Sequence, residues 1–94
     1  MTAQTLATEL SAIFDRPEPD LVQQGLLALI AREIRAAELE IAEIRERYNV
    51  FTRKALYQAI QDGQVAGHPA WEDYIVWKNK EARISRLGQL ASQG

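Results

Sequence analysis

The sequence predicts an all-α protein: an elongated antiparallel helical hairpin with a long helix over about 21–48 and a last helix over about 69–91, plus two short helices over about 5–14 and 53–62. Three observations carry this. Leu27, Ile30, Ile34, Ala37, Ile41, Ile44, Tyr48 and Phe51 follow one another at alternating steps of three and four, the a/d spacing of a helical seam. The stretch around them is rich in Ala, Leu, Glu and Arg, with Gly25 its single weak link. At ~1.5 Å per residue such a helix is ~42 Å long, whereas a compact chain of this size has a radius of gyration of only ~12 Å. A helix of that length calls for a returning arm.

Each element has its own signals. Leu6, Leu10 and Ile13, with Phe14 beside them, make one face of the first helix. The segment DRPEPD (15–20) stops it, because proline lacks an amide proton and restricts its predecessor, and Asp20 is the expected cap of the long helix. Around the seam, charges such as Arg32, Glu33, Glu40 and the i,i+4 pair Glu43 and Arg47 read as a solvated face. Asn49 tolerates the left-handed conformation and is the expected terminator. Thr52 then caps RKALYQAIQD, with Phe51 and Leu56 in the relation of a hydrophobic staple, and Gly63 closes it. After a Gly/Pro connector, Pro69 suits a first helical turn and Glu72 and Asp73 suit its positive end. Trp71, Tyr74 and Ile75 form the apolar start of the last helix, and Trp77, Ile84, Leu87 and Ala91 continue it. The first and third helices are expected near the two ends of the hairpin.

Ninety-four residues fit one domain, residues 1–94, with a small core. Without cysteine there is no disulfide and no thiolate zinc site, which points to a reducing compartment, hence the cytoplasm. The first ten residues lack the cationic and apolar blocks of a signal peptide, and LLALIA (26–31) falls short of the ~20 residues a membrane span needs. A net charge of −2 and a pI near 5.4 leave nucleic-acid binding dependent on a local patch.

The corner YNVFTRKALYQAIQDG is the one motif with two readings. A turn, a hydroxyl cap and Arg-Lys resemble a DNA-reading helix-turn-helix over about 44–62, with Arg53, Lys54 and Tyr57 toward the duplex. Against this, Phe51 makes the turn one residue longer than usual, Arg45 stands where a small residue is usual, and two cations supply few phosphate contacts. A structural bend explains the same residues by capping and packing. Cations in a first helical turn oppose the helix dipole, so acids are expected to compensate them, Glu43 and Glu46 being the nearest in sequence. His68 is the only histidine and reads as a surface or capping residue, and neither the serines nor any glycine loop has a catalytic or phosphate-binding context. No catalytic residue, cofactor or metal is expected. The aromatics of HPAWEDYIVWKNK suit either the core or an interface.

The stretch ERYNVFTRKALYQAIQDGQV, followed by WEDYIVWKNKEARISRLGQL, resembles a set of small prokaryotic helical proteins. These have an aromatic-ended helix, a Ser/Thr-capped short helix closed by glycine, and a last helix opened by Trp and an acidic pair. The matching positions are Tyr48, Thr52, Leu56, Ile60, Gly63, Trp71, Glu72 and Asp73, within about 46–90. Some of those proteins are encoded beside small toxins and are regarded as candidate antitoxins, so the resemblance implies binding and neutralising a partner protein. Basic Arg53 and Lys54 depart from the more acidic first turn of that set.

Together these readings give a non-enzymatic helical interaction module, a homodimer that also binds another protein by occlusion. Ile34, Ile41, Ile44, Trp77, Ile84 and Leu87 are the candidate contacts, and Ile41→Asp is the substitution expected to dissociate an oligomer. The alternatives are a DNA-binding regulator using the corner and a structural subunit of a larger helical assembly.

Overall fold

The computed structural model describes residues 1–93, which form four helices: α1 (Ala3–Phe14), α2 (Glu18–Tyr48), α3 (Arg53–Gln61) and α4 (Gly67–Gln93). The rod measures 60 × 26 × 17 Å with a radius of gyration of 19.3 Å, well above the ~12 Å of a compact chain. α4 runs antiparallel to α2, as the cross-links Arg47–Asp73 (2.8 Å), Glu40–Lys80 (2.9 Å) and Glu33–Arg83 (3.5 Å) show by stepping down one helix and up the other. All three involve half-solvated side chains, so they fix register more than they stabilise. α1 packs on the start of α2, and α3 packs on the start of α4.

Local chemistry sets the boundaries. α1 begins earlier than its apolar spacing indicates because Thr2 caps it, accepting from the Thr5 amide at 3.1 Å. It ends at Asp15, which adopts the left-handed conformation (φ 54°), before the prolines are reached. α2 also starts earlier than expected. Its N-cap is Pro17, and Asp20 lies in the first turn as a dipole-compensating acid. Pro19 fits that turn because its missing N–H would be unpaired there anyway. Asn49 does terminate α2 in the left-handed region (φ 52°), Thr52 caps α3 by accepting from the Ala55 amide at 3.0 Å, and Gly63 closes α3 with φ 73°. His68 keeps extended backbone, so regular helix in α4 begins at Pro69.

The core sits at the corner end, where Ile41 and Ile44 of α2, Leu56 of α3 and Trp77 of α4 meet. Leu56 and Trp77 are fully inaccessible (0 %), and each such side chain contributes ~1.5–3 kcal/mol by burial. Tyr48, Val50, Ile60, Val65, Tyr74 and Ile84 pack around them. The seam is graded: Ala37, Ile41 and Ile44 are buried, while Leu27, Ile30 and Ile34 toward the far end are half-buried.

Phe51 corrects two expectations. It is 80 % exposed, so it neither continues the seam nor staples Leu56. The reversal at Asn49 turns the chain off the α2 axis, and Val50 packs against the core instead. Phe51 lies under the Arg45 guanidinium, 5.4 Å from its ring centroid, and the same arginine donates from Nε to the Phe51 carbonyl at 2.9 Å. Arg45 thereby clasps the lengthened turn, which accounts for a large cation where a DNA-reading corner carries a small residue.

Candidate protein-interaction surfaces

At the corner end, α3 and the start of α4 present a cluster of aromatic rings. Tyr57 meets Trp71 edge-on (centroids 5.5 Å, 75° between planes), and Trp71 meets Tyr74 edge-on at 5.7 Å. The two tryptophans divide: Trp77 fills the core, whereas Trp71 is partly exposed, with Tyr57 and Ile75 exposed on the same outer surface. Ile75 lies one helical turn after Trp71, so both share a face of α4, and Lys78 follows on that face. Lys54 lies one turn before Tyr57 on α3. Both lysines are exposed and make no ion pair among the described residues. His68, solvent-exposed, pairs with Glu72 within the helix start at 2.9 Å.

Arg53 does not look outward with Lys54. Its Nε donates to Glu81 at 2.7 Å, its other guanidinium arm donates to the Tyr74 hydroxyl at 2.8 Å, and its charge lies 5.3 Å from the Tyr74 ring. The acid that compensates this cation is thus Glu81 of α4, a correction to the expectation of Glu43 and Glu46. The hydrogen bond that Arg53 donates to Glu81 is the main reason the Arg53 pKa is raised. Of the residues considered for a duplex, Arg53 is engaged internally, and Lys54 and Tyr57 stay exposed.

Behind the aromatics, Asp73 ties the end of α2 to α4 by accepting from Arg47 and from the Tyr48 hydroxyl. Burial first, and this hydrogen bond second, push the Tyr48 phenol above its ordinary pKa. The folded state therefore favours the protonated phenol, so the stabilisation is complete below the unfolded value near 10 and is lost as pH rises through the higher folded value. Tyr48→Phe is expected to flatten the alkaline fall of thermal stability above about pH 10, read from circular-dichroism melts. An identical alkaline slope in the variant would assign the fall to other groups.

The candidate contacts from the sequence all lie on the hairpin's own seam. Ile41, Ile44 and Trp77 are buried within the chain, and Ile34, Ile84 and Leu87 are half-buried between α2 and α4. A shallow cleft of about 370 Å³ runs beside them, lined by Glu38, Ile41, Arg45, Glu81, Ile84 and Ser85. Among the described residues no His, Cys, Asp and Glu side chains gather in a group able to hold a metal ion, and no helix is long and apolar enough to cross a membrane.

The far end of the rod differs in character, and the sequence reading passed over it. α1 buries none of its residues. Leu6, Leu10, Ile13 and Phe14 are exposed along it, and Val22, Leu26 and Leu29 are exposed along α2. Its small side, Ala7 and Ser11, faces α2 half-buried, and Thr8 donates to Glu18 at 2.8 Å. The available signal was the absence of charge: no Asp, Glu, Lys or Arg occurs from Leu21 to Ala31 or from Leu87 to Gly94, and only Glu9 occurs before Asp15.

An elongated four-helix protein with a core at one end and uncovered apolar surface at both ends is the class that fold and surface define. The family model described as "Uncharacterized protein MJ0235 family" matches residues 1–93, and the chain belongs to that family. No curated protein and no solved structure matches the chain.

Proposed function

We propose that this chain is a non-enzymatic helical protein-binding module, acting in the cytoplasm, that covers a working surface of another protein with the aromatic end of its rod. The observation that carries this reading is the joint exposure of Tyr57, Trp71 and Ile75 at the end where the core is already filled by Leu56 and Trp77. Tyr and Trp are the residues most enriched among those that dominate binding energy, because they combine large apolar area with few rotatable bonds. Lys54 and Lys78 flank them, which suits a partner with an acidic rim. The resemblance to candidate antitoxins falls on this same half of the chain, and neutralisation of a small toxic partner by occlusion is the finer form of the proposal.

The test is affinity purification of the whole chain from its native host, comparing wild type with a Trp71→Ala/Ile75→Asp variant. One protein, retained in stoichiometric amount by wild type and reduced at least tenfold by the variant, is the expected result. Equal capture by both, or none, removes the reading. Duplex DNA in the eluate, lost on Lys54→Ala, would replace it with the regulatory alternative, and recovery of large uniform oligomers would favour a structural subunit.

A further inference from the structure

The other end of the rod carries an inference of its own. We propose that the apolar surface formed by α1 and the first half of α2 is covered by a second copy of this chain, in a two-fold dimer joined end to end through that surface.

Four properties of the surface lead to a second copy. The first is area. The exposed apolar residues of α1 and early α2 leave roughly 700 Å² uncovered, above the ~300–600 Å² of the largest patch on typical monomers and close to the ~800 Å² each partner contributes to a stable complex. The chain exposes 6935 Å² in all, against about 5,500 Å² for a compact monomer of its mass.

The second is the helix itself. Between Leu21 and Ala31, α2 is apolar almost all round, a composition that belongs inside a bundle, yet α4 and α1 leave Val22, Leu26 and Leu29 uncovered. α1, twelve residues long with none buried, is near the length at which isolated helices are marginal and gains the packing it lacks from a neighbour.

The third is charge. A two-fold axis lays one patch against its own image, so any charge meets its like across the axis. This surface largely escapes that penalty because its only charged residue on α1 is Glu9 and none occurs on α2 between Leu21 and Ala31, the charges Asp15, Arg16, Glu18 and Asp20 being confined to the turn at its edge. The corner end, with Lys54 and Lys78 on its rim, does not.

The fourth is shape and supply. A notch of about 200 Å³ lined by Ala3, Leu6, Ala7, Leu10, Leu21 and Val22 lies on the same end as the protruding Ile13 (73 % exposed) and Phe14. A knob and a hole on one patch are what a two-fold axis pairs reciprocally. A second copy is also present whenever the first is made, as permanent cover of an aggregation-prone surface requires.

The experiment uses the whole purified chain. Light scattering coupled to gel filtration at about 100 μM is expected to give twice the chain mass of 10.6 kDa for wild type and the single mass for Ile13→Asp/Leu26→Asp with unchanged helical circular dichroism. The cysteine-free sequence allows an independent readout should that variant unfold. Single Ile13→Cys, Val22→Cys, Leu26→Cys and Leu29→Cys variants are expected to form intermolecular disulfides under mild oxidation at one or more of these positions. Leu39→Cys, equally exposed but outside the patch, is not. A monomeric wild type, a dimer that survives the double substitution while folded, or cross-linking as strong at Leu39 as at the patch overturns the proposal. None of these outcomes touches the aromatic end, whose own test can succeed or fail separately.

Discussion

Replacing Trp77 by alanine is expected to lower the stability to unfolding by about 3–5 kcal/mol, the usual loss when a fully buried aromatic is cut back and its cavity only partly collapses. That is a large share of the ~5–15 kcal/mol by which small domains are stable. The effect is large because Trp77 is the largest side chain that α4 buries among Ile41 and Ile44 of α2 and Leu56 of α3. Arg45 adds to it from above, its guanidinium 5.5 Å from the Trp77 ring centroid. The indole N–H is buried with no hydrogen-bond partner, a cost of ~1–3 kcal/mol that the ring's burial outweighs. Trp77→Phe removes that orphan donor while keeping most of the packing, so it is expected to lose much less than the alanine variant. Urea titration followed by circular dichroism measures both. Equal midpoints for wild type and Trp77→Ala would mean that the fold is not centred on this residue.

Ile41→Asp is expected to unfold the chain. The substitution read from the sequence as a means of separating oligomers instead strikes the protomer's own core, because Ile41 is only 4 % exposed and packs beside Ile44 and Trp77. An aspartate there loses the burial of a large aliphatic side chain and must either strip water from its charge or force its way to solvent. Together these cost several kcal/mol. Far-ultraviolet circular dichroism is expected to show loss of most helix at 25 °C. Leu39→Asp, two residues away on the solvated side of α2, provides the contrast: Leu39 is 65 % exposed, and the change is expected to stay within about 0.5 kcal/mol of wild type. A folded, monomeric Ile41→Asp protein would return this residue to an intermolecular role.

Much of the fold was legible because several of its signals are local. Asn49, Thr52 and Gly63 each act through backbone conformation or one short hydrogen bond, and all three do in the structure what their chemistry suggests. The three-four spacing of α2 likewise marks the face that α4 covers, because side-chain direction on a helix follows from position. Phe51 was misplaced because spacing alone cannot register that the helix axis ends at Asn49. Glu81 as the partner of Arg53 was out of reach for another reason: the two are far apart in sequence and meet only once α3 folds against α4.

The candidate surfaces were legible in inverse proportion to how regular they are. A strong seam drew attention to Ile34, Ile41, Ile44, Trp77, Ile84 and Leu87, yet a regular seam is also what a hairpin needs for itself. The residues left outside it, Trp71 and Ile75 at one end and Ile13 and Leu26 at the other, break the pattern. Each is apolar and left at least partly exposed by the neighbouring helix.

The ladder of ion pairs along α2 and α4 also orders the events of folding. Tyr48 and Asp73 are separated by about half as much chain as Glu33 and Arg83, and doubling a loop adds only ~0.6 kcal/mol to its closure. The small entropic advantage coincides with the richest packing, so the hairpin is expected to close at the corner first. Each later rung is then expected to form next to one already made, zipping from the corner toward the open end.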